Sequence, residues 1–305
     1  MKYNGIIIDA HTHIMNTDIT TEKEHGLVTM ERKFGYDNFN VLSLEAVYEG
    51  QNDACHKLSK QTGCYVFAGL NHRTWKSSGD FVRQAEEQLS LGALGYKMIE
   101  GKPGAYKDLG KPLNAPSMME FYAFMEAQAA PILLHAADPP EFWSVETAPP
   151  FAVENGWTYE DGSFPSVEQI HSEVNDILYN FPKLKLVLAH FYFIAHDLDY
   201  AVNILQNHKY CSFDICPGIE MFPHFSKRPD DWRRFFIEYS DRIIFGTDNY
   251  DGEPEVKDII NNTIHNFLQT PDVFKMWDRD IIGIDLPCDV LEKIYYKNFE
   301  RLIKR

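Results

Sequence analysis

No stretch of this chain reaches the roughly 18 consecutive apolar residues that a membrane-crossing helix needs. Met1-Lys2-Tyr3-Asn4-Gly5 leads into a short apolar run that ends in an acid, not into the longer apolar region of a signal peptide. Neither insertion nor export is therefore expected. Cysteine is scarce: Cys55, Cys64, Cys211, Cys216 and Cys288 are odd in number and scattered, with no CxxC pair. That argues against a disulfide framework and a cysteine zinc site, and it makes a reducing cytoplasm the expected compartment. Positive charge is also short, with 29 Lys and Arg against 45 Asp and Glu and a net charge of −16. Nucleic acid and anionic membrane are poor partners for such a surface, since phosphates are bound by clustered Lys and Arg. A Gly-rich phosphate turn after the first apolar run is missing as well, which disfavours a nucleotide-binding open sheet.

What the chain does have is core-forming material, 44% apolar and 14% aromatic over 305 residues. Short β-rich apolar runs predict strands at Gly5–Asp9, Phe39–Leu44, Tyr65–Leu70, Gly95–Ile99, Pro131–His135, Lys185–His190, Cys211–Ile215 and Arg242–Gly246. Helical periodicity lies between them, as in Phe81–Leu91, Ser117–Gln128 and Ser166–Asn180. In the first of these Phe81, Val82, Ala85 and Leu89 oppose Gln84, Glu86 and Glu87. Strands alternating with helices predict an α/β fold, the (β/α)8 TIM barrel, with a doubly wound open sheet as runner-up. No linker divides the chain, so residues 1–305 are read as one barrel domain. Ala136–Pro165 is rich in proline and carries Phe142, Trp143, Phe151, Trp157 and Tyr159. A loop this long is expected to be a lid over a strand end, the alternative being a packed surface excursion or subunit contact.

Asp9-Ala10-His11-Thr12-His13 follows the apolar run Ile6-Ile7-Ile8. Side chains alternate along a strand, so His11 and His13 project to the same side and can grip one ion. Other predicted strands end in residues of ligand type: His72 and Arg73 after strand three, His135 on five, His190 on six, Asp214 on seven and Asp248 after eight. In a barrel, chemistry gathers at the C-terminal strand ends. Neutral imidazoles with a carboxylate suit zinc or a similar divalent ion, and an open position on such an ion lowers the pKa of bound water toward about 7.

The ordered set Asp9-Ala10-His11-Thr12-His13, Gly95-Tyr96-Lys97-Met98, Pro131-Ile132-Leu133-Leu134-His135, Leu188-Ala189-His190 and Phe245-Gly246-Thr247-Asp248, with the ending Leu291–Leu302, resembles the amidohydrolase superfamily. The resemblance is to amidohydrolase family 2, the branch that includes aminocarboxymuconate-semialdehyde decarboxylase. It implies one catalytic divalent metal, zinc before manganese, cobalt or iron, on His11, His13, His135 and Asp248. It places His190 beside the ion to act on substrate or water, and gives Asp248 a second role as proton acceptor. Asp9 either orients a histidine or caps the strand. In other branches a carboxylated lysine on strand four bridges two metals, and Lys97, His135 and His190 fall in that order. The family-2 pattern is an unmodified lysine and one metal. Homodimers are frequent in the family.

Two reactions fit these residues. The first is hydrolysis of a C–N or C–O bond in a small polar substrate, with Asp248 handling the proton and His190 steadying the oxyanion. The second is decarboxylation of an unsaturated or aromatic carboxylate. Arg73 is the one evident strand-end arginine to face a leaving carboxylate, which tilts the expectation toward hydrolysis. Lys97, Arg73, His72 and Glu220 are the candidate substrate contacts. Related metal-dependent deoxyribonucleases carry a glutamate where this chain has Lys97.

Overall fold

A computed structural model describes residues 2–19, 25–218 and 220–304. Eight parallel strands run in chain order around one sheet: β1 Ile8–Thr12, β2 Asn38–Leu42, β3 Tyr65–Ala68, β4 Gly95–Gly101, β5 Ile132–Ala136, β6 Leu186–Leu188, β7 Cys211–Asp214 and β8 Ile243–Ile244. Backbone hydrogen bonds from Ala10 N–H to Phe245 O (3.1 Å), His13 N–H to Asn249 O (2.8 Å) and Asp248 N–H to His11 O (2.8 Å) join the segment after β8 to β1. This is the expected (β/α)8 barrel.

Strand alternation sorts the apolar residues into two layers. Ile8, Ala10, Leu42, Phe67, Leu133, Val187 and Ile244 form the barrel's own filling, with Phe299 of the C-terminal helix packed against them. Their neighbours Val41, Val66, Ile132, Leu134, Leu186 and Leu188 belong to the larger cluster that also contains the helix side chains. Lys97 pairs in register with Leu133, so it shares the inward face of the strands and lies buried.

The periodic segments fold as helices at Asp80–Ser90, Pro116–Ala127 and Val167–Asn180. The last is capped by Ser166, whose side chain accepts from Gln169 N–H. Three expectations shift. Strand one begins at Ile8 and continues through Thr12, three residues beyond the predicted end, because the Asp9 carboxylate supports its far end. Strand six stops at Leu188, so His190 lies outside it: residues 190–193 all have positive φ, a left-handed turn that no strand can contain. A hairpin, β9 Val273–Met276 with β10 Arg279–Ile282, was not expected, since Lys275, Trp277 and Asp278 mask its alternation.

The segment 136–165 holds a 3₁₀ turn, Pro140–Trp143, and a short helix, Pro150–Glu154, around a small cluster of Phe142, Ala152 and Tyr159. Tyr159 donates to Asp138 at 2.5 Å, which ties this excursion to the end of β5. Among the described residues no helix is long and apolar enough to cross a membrane.

Candidate metal centre at the barrel mouth

His11 and His13 project together, as their spacing requires. Each ring donates its Nδ1–H away from the other: His11 to Asp214 Oδ2 at 2.8 Å, His13 to the Leu42 carbonyl at 2.9 Å. That leaves the two Nε2 lone pairs facing each other 3.2 Å apart. Asp248 Oδ1 stands 3.4 Å from His13 Nε2 and 3.8 Å from His11 Nε2. Three electron-rich atoms converging on one point suit a cation between them; the Lys97 amine reaches His11 Nε2 at 3.2 Å, and the same three atoms fit a divalent ion. Burial holds the imidazoles neutral, the form that ligates. It pulls His13 and His135 down to about 4, and His11 and His190 well below the ordinary histidine range.

His135 stands apart from the other three residues of the expected set. It sits beside His190, ring centroids 4.8 Å apart, but its Nε2 faces Asp138 Oδ1 at 3.1 Å. Asp138 in turn receives Lys102 Nζ at 2.8 and 2.9 Å. Burial would raise that carboxyl, but Lys102 and His135 outweigh it and bring it to about 2.

Asp9 accepts the His11 N–H at 3.0 Å, the Thr247 N–H at 3.1 Å and the Thr247 hydroxyl. It therefore braces the ends of β1 and β8, which is the capping role. Asp214, not given a role from sequence, does the histidine-orienting work. Besides His11 Nδ1 it accepts the His190 N–H at 2.7 Å and the Cys216 N–H at 3.2 Å. The alternation Ser212-Phe213-Asp214 was its one available signal, placing Asp214 on the inward face with Ser212.

Lys97 Nζ lies 3.2 Å from His11 Nε2. Burial pushes its pKa down, and the Asp214 and Asp248 carboxylates oppose that. The remaining substrate candidates separate. Arg73 turns away: its guanidinium donates to the Glu45 carbonyl at 2.6 Å and the Ala46 carbonyl at 3.3 Å. It also pairs with the Glu45 carboxylate at 3.4 Å, and these partners hold it away from the histidines. His72 Nε2 pairs with Glu100 Oε1 at 2.9 Å. Glu220 is buried beside Gly218, and burial lifts its carboxyl to about 8.

A family model described as amidohydrolase, of the second amidohydrolase family, matches residues 8–305. The chain belongs to this amidohydrolase family, whose members are metal-dependent enzymes. No curated protein sequence matches it. Among solved structures it is similar to 2,6-dihydroxybenzoate decarboxylase from Rhizobium, at 14% identity and a TM-score of 0.58, covering 98% of this chain and 99% of the other. It is also similar to 4-oxalomesaconate hydratase from Rhodopseudomonas palustris, at 14% identity and a TM-score of 0.58, covering 98% and 95%. A third similar structure is a probable 2-pyrone-4,6-dicarboxylic acid hydrolase from Acinetobacter baumannii, at 14% identity and a TM-score of 0.59, covering 98% and 99%. At these identities the likeness is one of fold.

Proposed function

We propose that this protein is a metal-dependent lyase that decarboxylates a small unsaturated or aromatic carboxylate. One observation carries the reading: the Lys97 amine is buried at the mouth, 3.2 Å from His11 Nε2, where it faces whatever binds beside the ion. A carboxylate there gains a charge-assisted hydrogen bond in a site of low polarity. The expectation of hydrolysis rested on the scarcity of strand-end cations to face a leaving carboxylate; Arg73 lies elsewhere, and the buried Lys97 amine is the cation that answers that objection. The names of the similar structures support the substrate class, since a dihydroxybenzoate, an oxalomesaconate and a pyrone dicarboxylate are all unsaturated or aromatic carboxylates, and the first of these proteins is a decarboxylase.

His11, His13 and Asp248 would hold the ion, with His135 or His190 completing the set after a ring rotation. Bound there, a divalent metal polarises an oxygen of the substrate and stabilises negative charge that develops on it. Lys97 then orients the carboxylate, and loss of CO2 leaves an electron pair on carbon that must take up a proton. Asp248, whose side chain is 36% exposed, borders both the site and solvent and is placed to relay one. Neutral His190, whose Nδ1–H faces the Cys216 carbonyl at 3.3 Å, keeps an Nε2 lone pair that can accept a hydrogen bond from the substrate.

Hydrolysis is the second reading, favoured by the short approach of Asp248 Oδ1 to both imidazoles, where it would take a proton from water. The test is a panel of unsaturated and aromatic acids and of lactones, offered to zinc- and manganese-loaded protein with CO2 and acid release followed separately. Release of CO2, cut roughly 100-fold or more in kcat by Asp248→Asn, is the expected result. Lactone opening without CO2 would transfer the assignment to hydrolysis, and turnover of neither class would defeat both.

A further inference from the structure

A second group of metal-ligating atoms shares His11 with the first. One ring nitrogen each of His11 and His190 and the Cys216 Sγ all lie within 4.8 Å of one another, and all three residues are buried. With bonds of about 2.0 Å to nitrogen and 2.3 Å to sulfur, a tetrahedral ion spaces such ligands about 3.5 Å apart. Modest side-chain rotation closes that difference. His190 Nδ1 faces the Cys216 carbonyl at 3.3 Å, and that donation leaves Nε2 with its lone pair.

The three residues are framed together. A single buried carboxylate, Asp214, holds the His11 ring at 2.8 Å and the backbone N–H groups of His190 and Cys216 at 2.7 and 3.2 Å. The chain adopts positive φ at His190 to reach this arrangement, φ 55°. Gly246 packs against the same spot, where a Cβ would come within 2.7 Å of His11 Cβ and 3.5 Å of Cys216 Cβ. The backbone on both sides is thus drawn in around these side chains.

We propose that Cys216 is a metal ligand, and that His11, His190 and Cys216 form a thiolate-bearing seat alternative to the seat at His11, His13 and Asp248. His11 gives its Nδ1 to Asp214, which leaves Nε2 as the nitrogen for either seat, so the seats compete and one ion occupies one of them. Thiolate selects soft and borderline ions such as zinc and cobalt, and carboxylate favours manganese or magnesium. Binding at the sulfur seat displaces the thiol proton to solvent. The absence of a CxxC pair does not bear on this site, because the barrel closure and not sequence spacing brings the cysteine to the histidines.

This inference rests on the reading that the mouth holds a metal ion, and the experiment separates the two. It uses the Cys288→Ser chain, which removes the exposed thiol. Zinc-edge X-ray absorption of that protein, loaded with one equivalent of zinc, should show one sulfur at about 2.3 Å. Cobalt-loaded protein should show a near-ultraviolet sulfur-to-cobalt band that Cys216→Ser abolishes and Asp248→Asn retains. Cys216→Ser should weaken zinc more than about tenfold and leave manganese within twofold. An ion bound with nitrogen and oxygen alone overturns the thiolate seat and leaves the metal reading standing. Failure to bind zinc, cobalt or manganese at all removes both. Should Cys216→Ser not fold, the absorption measurement on the Cys288→Ser chain decides by itself.

Discussion

The turn that carries His190 permits a prediction worked from backbone geometry. His190, Phe191, Tyr192 and Phe193 have φ of 55, 52, 57 and 55°, all in the left-handed region. Each such residue with a Cβ costs about 1–2 kcal/mol, or about 4–8 kcal/mol for the turn. Burial of Phe191, Tyr192 and Phe193, none more than 5% exposed, returns roughly 1.5–3 kcal/mol apiece and about offsets it. His190 contributes strain without apolar compensation. Replacing it with alanine and with glycine removes the imidazole equally, so the difference between the variants isolates the backbone. Glycine is usually about 0.5–1 kcal/mol less stable than alanine inside a regular element. Here the left-handed conformation reverses that order, and His190→Gly should be more stable than His190→Ala by about 1 kcal/mol. Urea unfolding of the two metal-free variants, followed by tryptophan fluorescence, reads this as a higher midpoint at equal slope. A midpoint for His190→Gly below that of His190→Ala would refute the strained turn.

Asp138 should contribute to stability in a defined pH window. Its folded-state carboxyl lies at about 2, below its ordinary 3.8, so the contribution is present above pH about 4 and lost as pH falls through about 2. At about 1.4 kcal/mol per unit this is on the order of 2 kcal/mol, measurable as the change in urea midpoint across that window, and Asp138→Asn should flatten it. Gly246→Ala should push His11 aside, because its Cβ would come within 2.7 Å of His11 Cβ. Calorimetric titration with zinc should then show at least about a tenfold weaker site, and unchanged affinity would remove His11 from the site. Saturating divalent metal should stabilise the wild-type fold by about 2.7 kcal/mol at 100 times Kd, read as a Tm increase reversed by chelator.

How much was legible beforehand differs from residue to residue. The eight strands were readable because most contain a short apolar run rich in Val, Ile, Leu or Phe, and their pairing in chain order follows from alternation with helices. The His11 and His13 pair was readable because a period of two places both on one side. The role of Asp214 was less visible: its position on the inward face could be counted, but its three partners come from β1 and from the turns after β6 and β7. Arg73 shows the opposite failure. A strand-end arginine is a reasonable carboxylate clamp until the Glu45 and Ala46 carbonyls and the Glu45 carboxylate are seen to claim it.

Sequence alone therefore determined what is local: the strand and helix order, the same-side histidines, and through its ordered motifs the amidohydrolase family. Tertiary structure decided which of those side chains meet. His135 turns to Asp138, Lys97 to His11 and Cys216 toward His190 because closing the ring brings residues 86 positions apart (Lys97 and His11) or 26 apart (Cys216 and His190) into contact, and the turn after β5 returns Asp138 to His135. Hydrogen-bond direction is then set by whichever buried acceptor lies nearest, and no spacing along a chain encodes that.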